Sequence, residues 1–336
     1  MAECPSSSFI AHLRSVLPKD GTREALITSV IPTLLESIAD VAEALRNSHH
    51  VAAAGTANSF GDDQLNVDVT AENLIRSAIA RCPTITTASS EEDPVERRVQ
   101  HTTPPPCPSS APTSEEYTLA FDPLDGSSII RANWTVGAIL SLWDGPTALH
   151  QPPATAQIAS LLGVFGPRTT AILALRVPNS GLAPVCIELA LSADRAWHVA
   201  TPQLALADTA RYFSPANLRA AAEDPAYLAL VTGYVARRYT LRYAGGLVPD
   251  VVHMLVQGEG VYVSPVTAGS KAKLRRLYEL CPLALVVECA RGRAVDPVDG
   301  RGVLEREVRG CDERGGLVCG SAGEVGGVVE RLVEGQ

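Results

Sequence analysis

Helical patterns and strand-like apolar runs alternate through the second half of the chain, and this alternation constrains the fold more than any other feature. In chain order, the patterns predict helix 224–238, strand 239–243, helix 248–257, strand 260–264, helix 270–280, apolar runs at 283–288 and 316–319, and helix 321–333. Helices that alternate with short strands cover sheets on both faces. The sequence therefore predicts an α/β fold built of layers.

The first half of the chain adds two helical patterns and several apolar strands. Apolar residues recur at helical spacing over 22–46, where Pro32 predicts a kink or a restart, and again over 69–80. The predicted strands are 117–121, 136–143, 171–177 and 185–191, and a proline-rich surface loop is predicted at 93–116. A polar stretch at 201–209 then predicts a boundary between two domains, an α+β domain 1–203 and an α/β domain 204–336.

Composition and charge exclude several functional classes. The chain has 336 residues, of which 46% are apolar, and a net charge of −9, which favours a folded protein and disfavours nucleic acid as a partner. The sequence has no apolar stretch of about 20 residues that would cross a membrane, and its start does not resemble a secretory signal. Eight scattered cysteines include no CxxC pair, so we expect reduced thiols and a cytoplasmic protein.

The segment FDPLDGSS, which begins at Phe121, carries the clearest chemical signal. Asp122 and Asp125 lie three residues apart around a proline turn, and two carboxylates with a backbone carbonyl between them are ligands that hard divalent cations prefer. Amide and hydroxyl groups that suit a phosphate follow at Gly126, Ser127 and Ser128. A metal site beside a phosphate site predicts phosphoryl chemistry, and the alternative is an ordinary strand-end turn with a serine cap.

Three further acidic residues are candidates for the same site. Glu91 and Glu92 belong to an acidic run ahead of the proline-rich segment, and Asp68 interrupts an apolar segment. Metal ions that clamp a phosphoryl group need carboxylates from separate segments of the chain. We therefore expect these acids to converge on Asp122 and Asp125; a solvated acidic cluster and a helix cap are the alternatives.

Positive residues downstream predict a surface for a second anionic group. In the predicted helix 270–280, Lys271, Arg275 and Glu279 share one face. This face either forms a cationic wall with Glu279 directed at the metals or is an ordinary solvated face. A further cation and an aromatic side chain beside a glycine turn occur at Arg242 and Tyr243.

Together these motifs resemble one family, the fructose-1,6-bisphosphatase and sedoheptulose-1,7-bisphosphatase class of sugar phosphatases. In chain order, the motifs that carry the resemblance are GTANSFGDDQLNVD (55–68), SSEED (89–93), FDPLDGSS (121–128), GVFGPRTT (163–170), FSPANLRA (213–220), YTLRYAGGLVPDV (239–251) and KAKLRRLYELCP (271–282). FSPANLRA, TLRYAGGLVPD and GPRTT are more similar to the sedoheptulose branch than to the fructose branch.

The resemblance implies α-β-α-β-α layers in two subdomains and a homodimer or homotetramer. It also implies hydrolysis of the 1-phosphate of a ketose bisphosphate with Mg²⁺ or Mn²⁺, two or more ions per active site. The expected substrate is sedoheptulose 1,7-bisphosphate. The alternatives are fructose 1,6-bisphosphate, another phosphorylated polyol and, from a different class of protein, an inactive relative that binds sugar phosphate.

The resemblance also implies roles for individual residues. The implied metal ligands are Glu91, Glu92, Asp122, the Leu124 carbonyl, Asp125 and Glu279. Asp68 and Glu92 would orient and deprotonate the attacking water. The implied ligands of the reacting phosphate are Gly126, Ser127 and Ser128, and those of the sugar and its distal phosphate are Asn217, Arg242, Tyr243 and Lys273. Arg131 departs from the family pattern, because it places a positive charge in a segment where the family usually has an aspartate.

Overall fold

The computed structural model of the chain describes residues 5–18, 21–57, 63–102 and 115–333. Within these residues, the α-helices are α1 Pro5–Val16, α2 Ile31–Asn47, α3 Asn66–Ile79, α4 Pro153–Ala156, α5 Pro225–Ala236, α6 Leu247–Gln257, α7 Cys281–Cys289 and α8 Ala322–Leu332. The strands are β1 Ala53–Ala57, β2 Asp63–Leu65, β3 Ile85–Ser90, β4 Arg97–Arg98, β5 Tyr117–Asp125, β6 Val136–Asp144, β7 Gln157–Phe165, β8 Thr169–Leu175, β9 Val185–Leu191, β10 Trp197–Thr201, β11 Tyr212–Pro215, β12 Thr240–Leu241, β13 Val261–Ser264, β14 Leu274–Arg275, β15 Arg293–Val295, β16 Arg314–Gly315 and β17 Leu317–Gly320. Single π-helical turns, Leu26–Val30 and Arg276–Leu280, lead into α2 and α7.

Two large sheets form the framework of the fold. The first has eight strands in the order β10-β9-β8-β7-β6-β5-β3-β4, antiparallel except for the parallel pair β3 and β5. The second has five strands in the order β12-β11-β13-β17-β15. Helices α1, α2 and α3 pack on the outer face of the first sheet, α6 and α7 lie between the sheets, and α5 and α8 cover the second sheet. This order of layers confirms the predicted α-β-α-β-α fold.

The layers are held together by apolar cores. One core joins α1, α2 and α3 to the first sheet, a second fills the space around α6 and α7, and a third lies between the second sheet and helices α5 and α8. Each fully buried large apolar side chain contributes about 1.5–3 kcal/mol relative to an exposed one. The middle core includes residues on both sides of the predicted domain boundary, such as Trp143 and Leu285. The division at residues 203 and 204 stays a prediction.

Most of the predicted elements are present, and one predicted helix is wrong. The break near Pro32 is confirmed, because α2 begins at Ile31 and Pro32 lies in its first turn, where a missing N–H leaves no bond unmade. The helix expected over 270–280 does not form as predicted, because Leu274 and Arg275 pair as β14 with β16 and helical structure begins only at Arg276. Lys271, Arg275 and Glu279 therefore do not share one helical face.

The remaining differences concern segments with weak or misleading patterns. Strand β7 was not predicted, because its sequence QIASLLGVF shows neither a continuous apolar run nor a regular alternation. The apolar run 283–288 lies in α7. Residues 103–114 of the predicted loop lie outside the described residues. Among those described, no helix combines the length and the apolarity needed to span a membrane.

The contact between α6 and β6 gives a test of the fold. A Cβ on Gly137 would come within 2.5 Å of the Val248 side chain and 2.9 Å of the Gly163 carbonyl oxygen. We expect Gly137→Ala to lower the free energy of unfolding by about 1–3 kcal/mol through overpacking, measured by chemical denaturation. As a control, Gly326→Ala in α8 places its Cβ in open space, with nothing within 4 Å, and should raise stability by up to about 1 kcal/mol. Wild-type stability of Gly137→Ala would contradict this packing.

Candidate active site

One cavity of about 390 Å³ brings together acidic and basic residues from separate segments of the chain. It is lined by Asp68, Glu91, Glu92, Asp122, Leu124, Asp125, Gly126, Ser127, Ser128, Gly245, Lys273, Leu274, Arg275, Glu279 and Arg314. Every residue predicted for the site is among them except Asn217, Arg242 and Tyr243. The expected convergence of the acids is therefore present in the structure.

Strand β5 carries two of the carboxylates into the protein interior. All nine of its residues are buried, and its last four include Asp122 and Asp125. Asp122 accepts a hydrogen bond from the Leu124 amide at 3.0 Å. Asp125 Oδ1 accepts a hydrogen bond from the Leu247 amide at 3.1 Å, and its Oδ2 accepts one from the Val248 amide at 2.7 Å. These amides begin α6, so the helix N-terminus stabilises the charge of Asp125 and fixes its orientation.

Glu279 reaches the two aspartates from the π-helical turn before α7. Its side chain is buried and accepts the Arg275 amide at 2.5 Å. One carboxylate oxygen from each of Asp122, Asp125 and Glu279 lies within 4.8 Å of the other two. Oxygen donors at this separation suit a hard divalent cation.

Burial raises the pKa of all three acids, and repulsion by neighbouring carboxylates adds to this for Asp122 and Glu279. Burial, with the charges of Asp125 and Glu279, raises the pKa of Asp122 well above its ordinary value. Burial raises the pKa of Asp125 to about 6 despite its bonds to the α6 amides. It raises the pKa of Glu279 to about 7 despite the Arg275 amide. Because buried like charges are unfavourable without a counter-ion, this donor set fits a bound cation.

Asp68 is held at the start of α3 with one oxygen available. Its Oδ2 accepts the Leu65 amide at 2.8 Å, whereas its Oδ1 is buried and has no hydrogen-bond partner among the described residues. Burial raises the pKa of Asp68 to about 6. A fixed carboxylate with a free oxygen can bind a water and accept its proton.

The acidic run after β3 is joined to β5 and to a buried arginine. The Glu91 amide donates to the Phe121 carbonyl at 3.0 Å, which continues the parallel pairing of the two strands. The Glu91 carboxylate forms an ion pair with Arg275, and Glu92 accepts a hydrogen bond from Gln64. Glu91 and Glu92 are therefore cavity residues and not a solvated acidic patch.

Arg314 was not assigned to the site from the sequence, and Arg275 was expected only as part of a cationic helix face. Arg275 and Arg314 are paired residues of β14 and β16, and Lys273 precedes this pair. Arg275 is 2% exposed, so it belongs to the interior and not to a solvated helix face. Arg314 lies outside every motif, and only the strand pairing brings it to the site.

The turn after β5 keeps the geometry that a phosphate site needs. Gly126 has a φ of +96°, a left-handed conformation that glycine adopts without strain. Ser127 and Ser128 follow as exposed residues that line the cavity. Arg131 is also exposed but lies outside the cavity lining, so its charge does not replace a charge of the acidic group.

Three predicted substrate residues lie outside the cavity lining. The Asn217 amide donates to the Pro265 carbonyl at 2.8 Å and its Oδ1 accepts the Ser270 hydroxyl at 2.5 Å, so it joins two loops. Arg242 stacks over the Tyr212 ring at 5.7 Å. Tyr243 is 44% exposed, two residues before the cavity residue Gly245.

The same Asp-Pro-x-Asp-Gly pattern occurs a second time, as DPVDG at 296–300. Here Asp296 and Asp299 both form ion pairs with Arg306, so a guanidinium is their counter-ion. The spacing of two aspartates is therefore not sufficient for a cation site, and the acids from other segments distinguish the first motif from the second.

The fold has five layers, and its cavity combines buried carboxylates with a turn that suits a phosphate group. Together these features define a phosphoric monoester hydrolase. Models of the N-terminal and C-terminal domains of fructose-1,6-bisphosphatase match residues 14–184 and 206–333. The chain belongs to the fructose-1,6-bisphosphatase family of sugar bisphosphatases.

Individual relatives agree with this assignment. A chloroplastic sedoheptulose-1,7-bisphosphatase of Chlamydomonas reinhardtii is 37% identical over 88% of this chain and 72% of its own length. A fructose-1,6-bisphosphatase class 1 of Geobacter sulfurreducens is 28% identical over 98% of both chains. The crystal structure of a Toxoplasma gondii protein assigned as a sedoheptulose-1,7 bisphosphatase is 35% identical to this chain, with a TM-score of 0.84, and the match covers 97% of this chain and 98% of that protein.

The raised pKa values predict how stability depends on pH. The ordinary pKa of a carboxyl is about 4, so between about pH 4 and pH 7 the folded chain holds more protons on Asp125 and Glu279 than the unfolded chain does. When a chelator keeps metal ions away, the contribution of Asp125 and Glu279 to the free energy of unfolding therefore falls as the pH rises through this window. Mg²⁺ binds the deprotonated acids. We therefore expect the difference in Tm between samples with and without Mg²⁺, measured by thermal denaturation, to grow from about pH 4 to pH 7.

Asp122→Asn provides the control for this measurement. The substitution removes one buried charge, so at about pH 8, with a chelator present, the variant should have a higher Tm than wild type. Mg²⁺ should raise the Tm of the variant by less than it raises the Tm of wild type. Equal Mg²⁺ effects on variant and wild type, at every pH, would contradict the assignment of these acids to a cation site.

Proposed function

We propose that this chain hydrolyses the 1-phosphate of a ketose bisphosphate and prefers sedoheptulose 1,7-bisphosphate. The observation that carries the proposal is the convergence of six acids, the turn at 126–128 and three cations on one cavity. The seven-carbon preference is supported by the 37% identity to a sedoheptulose-1,7-bisphosphatase, against 28% for a fructose-1,6-bisphosphatase. Fructose 1,6-bisphosphate is the alternative substrate.

We infer that Mg²⁺ or Mn²⁺ ions, two or more per active site, are held by acids of the cavity. Their proposed ligands are Glu91, Glu92, Asp122, the Leu124 carbonyl, Asp125 and Glu279. When bound, such ions neutralise charge on phosphoryl oxygens and lower the pKa of a coordinated water.

The chain's own residues supply the remaining steps. Asp68 Oδ1, with Glu92, orients a water and accepts its proton as the water oxygen attacks phosphorus and the bond from phosphorus to the sugar oxygen breaks. The turn at Gly126, Ser127 and Ser128 holds the phosphoryl group. Arg275 and Arg314 add positive charge where the phosphoryl oxygens lie, and such preorganised charge favours the transition state.

The distal end of the substrate is proposed to bind Lys273, Asn217, Arg242 and Tyr243. Lys273 lines the cavity, and Tyr243 lies two residues from its wall. Arg242 is exposed, which suits the proposed role of a residue that reaches across the interface of a homodimer or homotetramer. Size-exclusion chromatography with light scattering tests the oligomer.

The cytoplasm remains the proposed compartment. The six described cysteines are all free and buried, as expected for a protein in a reducing environment. Because several relatives are chloroplastic, cell fractionation is the test.

The test of the proposed function is phosphate release with Mg²⁺ from sedoheptulose 1,7-bisphosphate and fructose 1,6-bisphosphate. We expect a higher kcat/KM for the seven-carbon substrate, because the reacting ends are alike and only the distal reach differs. A preference for the six-carbon substrate would overturn the branch assignment. No release from either would favour the inactive sugar-phosphate-binding relative.

Replacement of the proposed proton acceptor gives a second test. Asp68→Asn keeps an oxygen for the Leu65 amide but removes the basic group, so kcat should fall by about 10²–10⁴-fold with little change in Tm. Asp224→Asn is the matched control, since Asp224 likewise accepts amides at a helix start, in α5, outside the cavity. A kcat for Asp68→Asn within a few-fold of wild type would remove Asp68 from the mechanism.

A further inference from the structure

We propose that Glu72 is a positioning residue of this site, which acts with Ser90 and Arg76 to fix the turn that presents Glu91 and Glu92 to bound cations. The inference rests on the proposed function, because it concerns the metal loading of that same cavity. Glu72, Ser90 and Arg76 all lie outside the cavity lining, so they would act through the turn and not by contact with substrate.

The turn is closed by the residues on either side of the two glutamates. The Ser90 amide donates to the Asp93 carbonyl at 3.1 Å, and the Asp93 amide donates to the Ser90 hydroxyl oxygen at 3.0 Å. Glu91 and Glu92 are therefore the two residues at the tip. Their direction depends on where Ser90 and Asp93 are held.

Glu72 holds this turn from α3. Its Oε1 accepts the Ser90 hydroxyl at 2.8 Å and also accepts a hydrogen bond from Arg76. Glu72 lies one helical turn after Asp68, on the same face of α3. One helix face thus carries the proposed proton acceptor and the anchor of the two glutamates, which fixes their relative position.

Arg76 ties the same turn to strand β5. Its guanidinium lies 3.6 Å from the Asp93 carboxylate and 5.6 Å from the centre of the Phe121 ring. Phe121 directly precedes Asp122, and its carbonyl accepts the Glu91 amide. Arg76 therefore links α3, the turn and the strand that carries the central carboxylates, and it provides the counter-charge that the buried Glu72 requires.

Removal of the Ser90 hydroxyl or of the Glu72 carboxylate should weaken cation loading selectively. For Ser90→Ala and Glu72→Ala, we expect the Mn²⁺ dissociation constant from calorimetry, and the Mg²⁺ concentration for half-maximal rate, to rise about 10-fold or more. KM for the sugar bisphosphate at saturating metal should change little. Ser90→Thr, which keeps the hydroxyl, should restore wild-type metal binding.

Glu288→Ala is the matched control, because Glu288 is also a helix residue that pairs with an arginine, Arg176 at 2.8 Å, and it lies outside the cavity. It should leave Mn²⁺ binding unchanged. If Ser90→Ala and Glu72→Ala lower Tm as Glu288→Ala does but keep the wild-type Mn²⁺ dissociation constant, the network is only structural and the inference is wrong. Failure of the proposed function has a different signature, since wild type would then bind Mn²⁺ but release no phosphate.

Discussion

The pairing of the Asp125 carboxylate with the first amides of α6 is the interaction on which the rest of the structure depends. It joins the end of β5 in the first sheet to the helix that separates the two sheets. The helix then lies close enough to β6 that only glycine fits at residue 137. The same bond places a negative charge inside the protein, beside two other buried acids. The fold and the site thus share one constraint.

That constraint implies a balance between stability and function. Buried carboxylates that raise one another's pKa destabilise the folded chain, and the helix N-terminus, Arg275 and Arg314 offset only part of their charge. A bound cation would offset more of it, and a phosphoryl group would in turn be attracted by the cation and the arginines. The second aspartate pair, at Asp296 and Asp299, has its counter-ion in Arg306.

The acidic part of the site could be predicted from the sequence because it lies in short motifs. Asp122 and Asp125 lie in the last four residues of β5, Glu91 and Glu92 directly follow β3, and carboxylates suit a hard cation. The basic part could not be predicted in the same way. The spacing of Lys271, Arg275 and Glu279 matched a helix, but the chain there pairs with residues 314–315, about 40 positions away, and that contact has no local signal. Arg314 reached the site through this pairing alone.

The layers of the fold were predictable for a related reason, since helical and strand patterns are local. Strand β7 was missed because Gln157, Ser160 and Gly163 interrupt its apolar residues. The most direct test of the account is a crystal soaked in Mn²⁺ and measured for anomalous scattering. The account predicts an anomalous peak between Asp122, Asp125 and Glu279. Anomalous density elsewhere on the protein, with none at these three carboxylates, would contradict it.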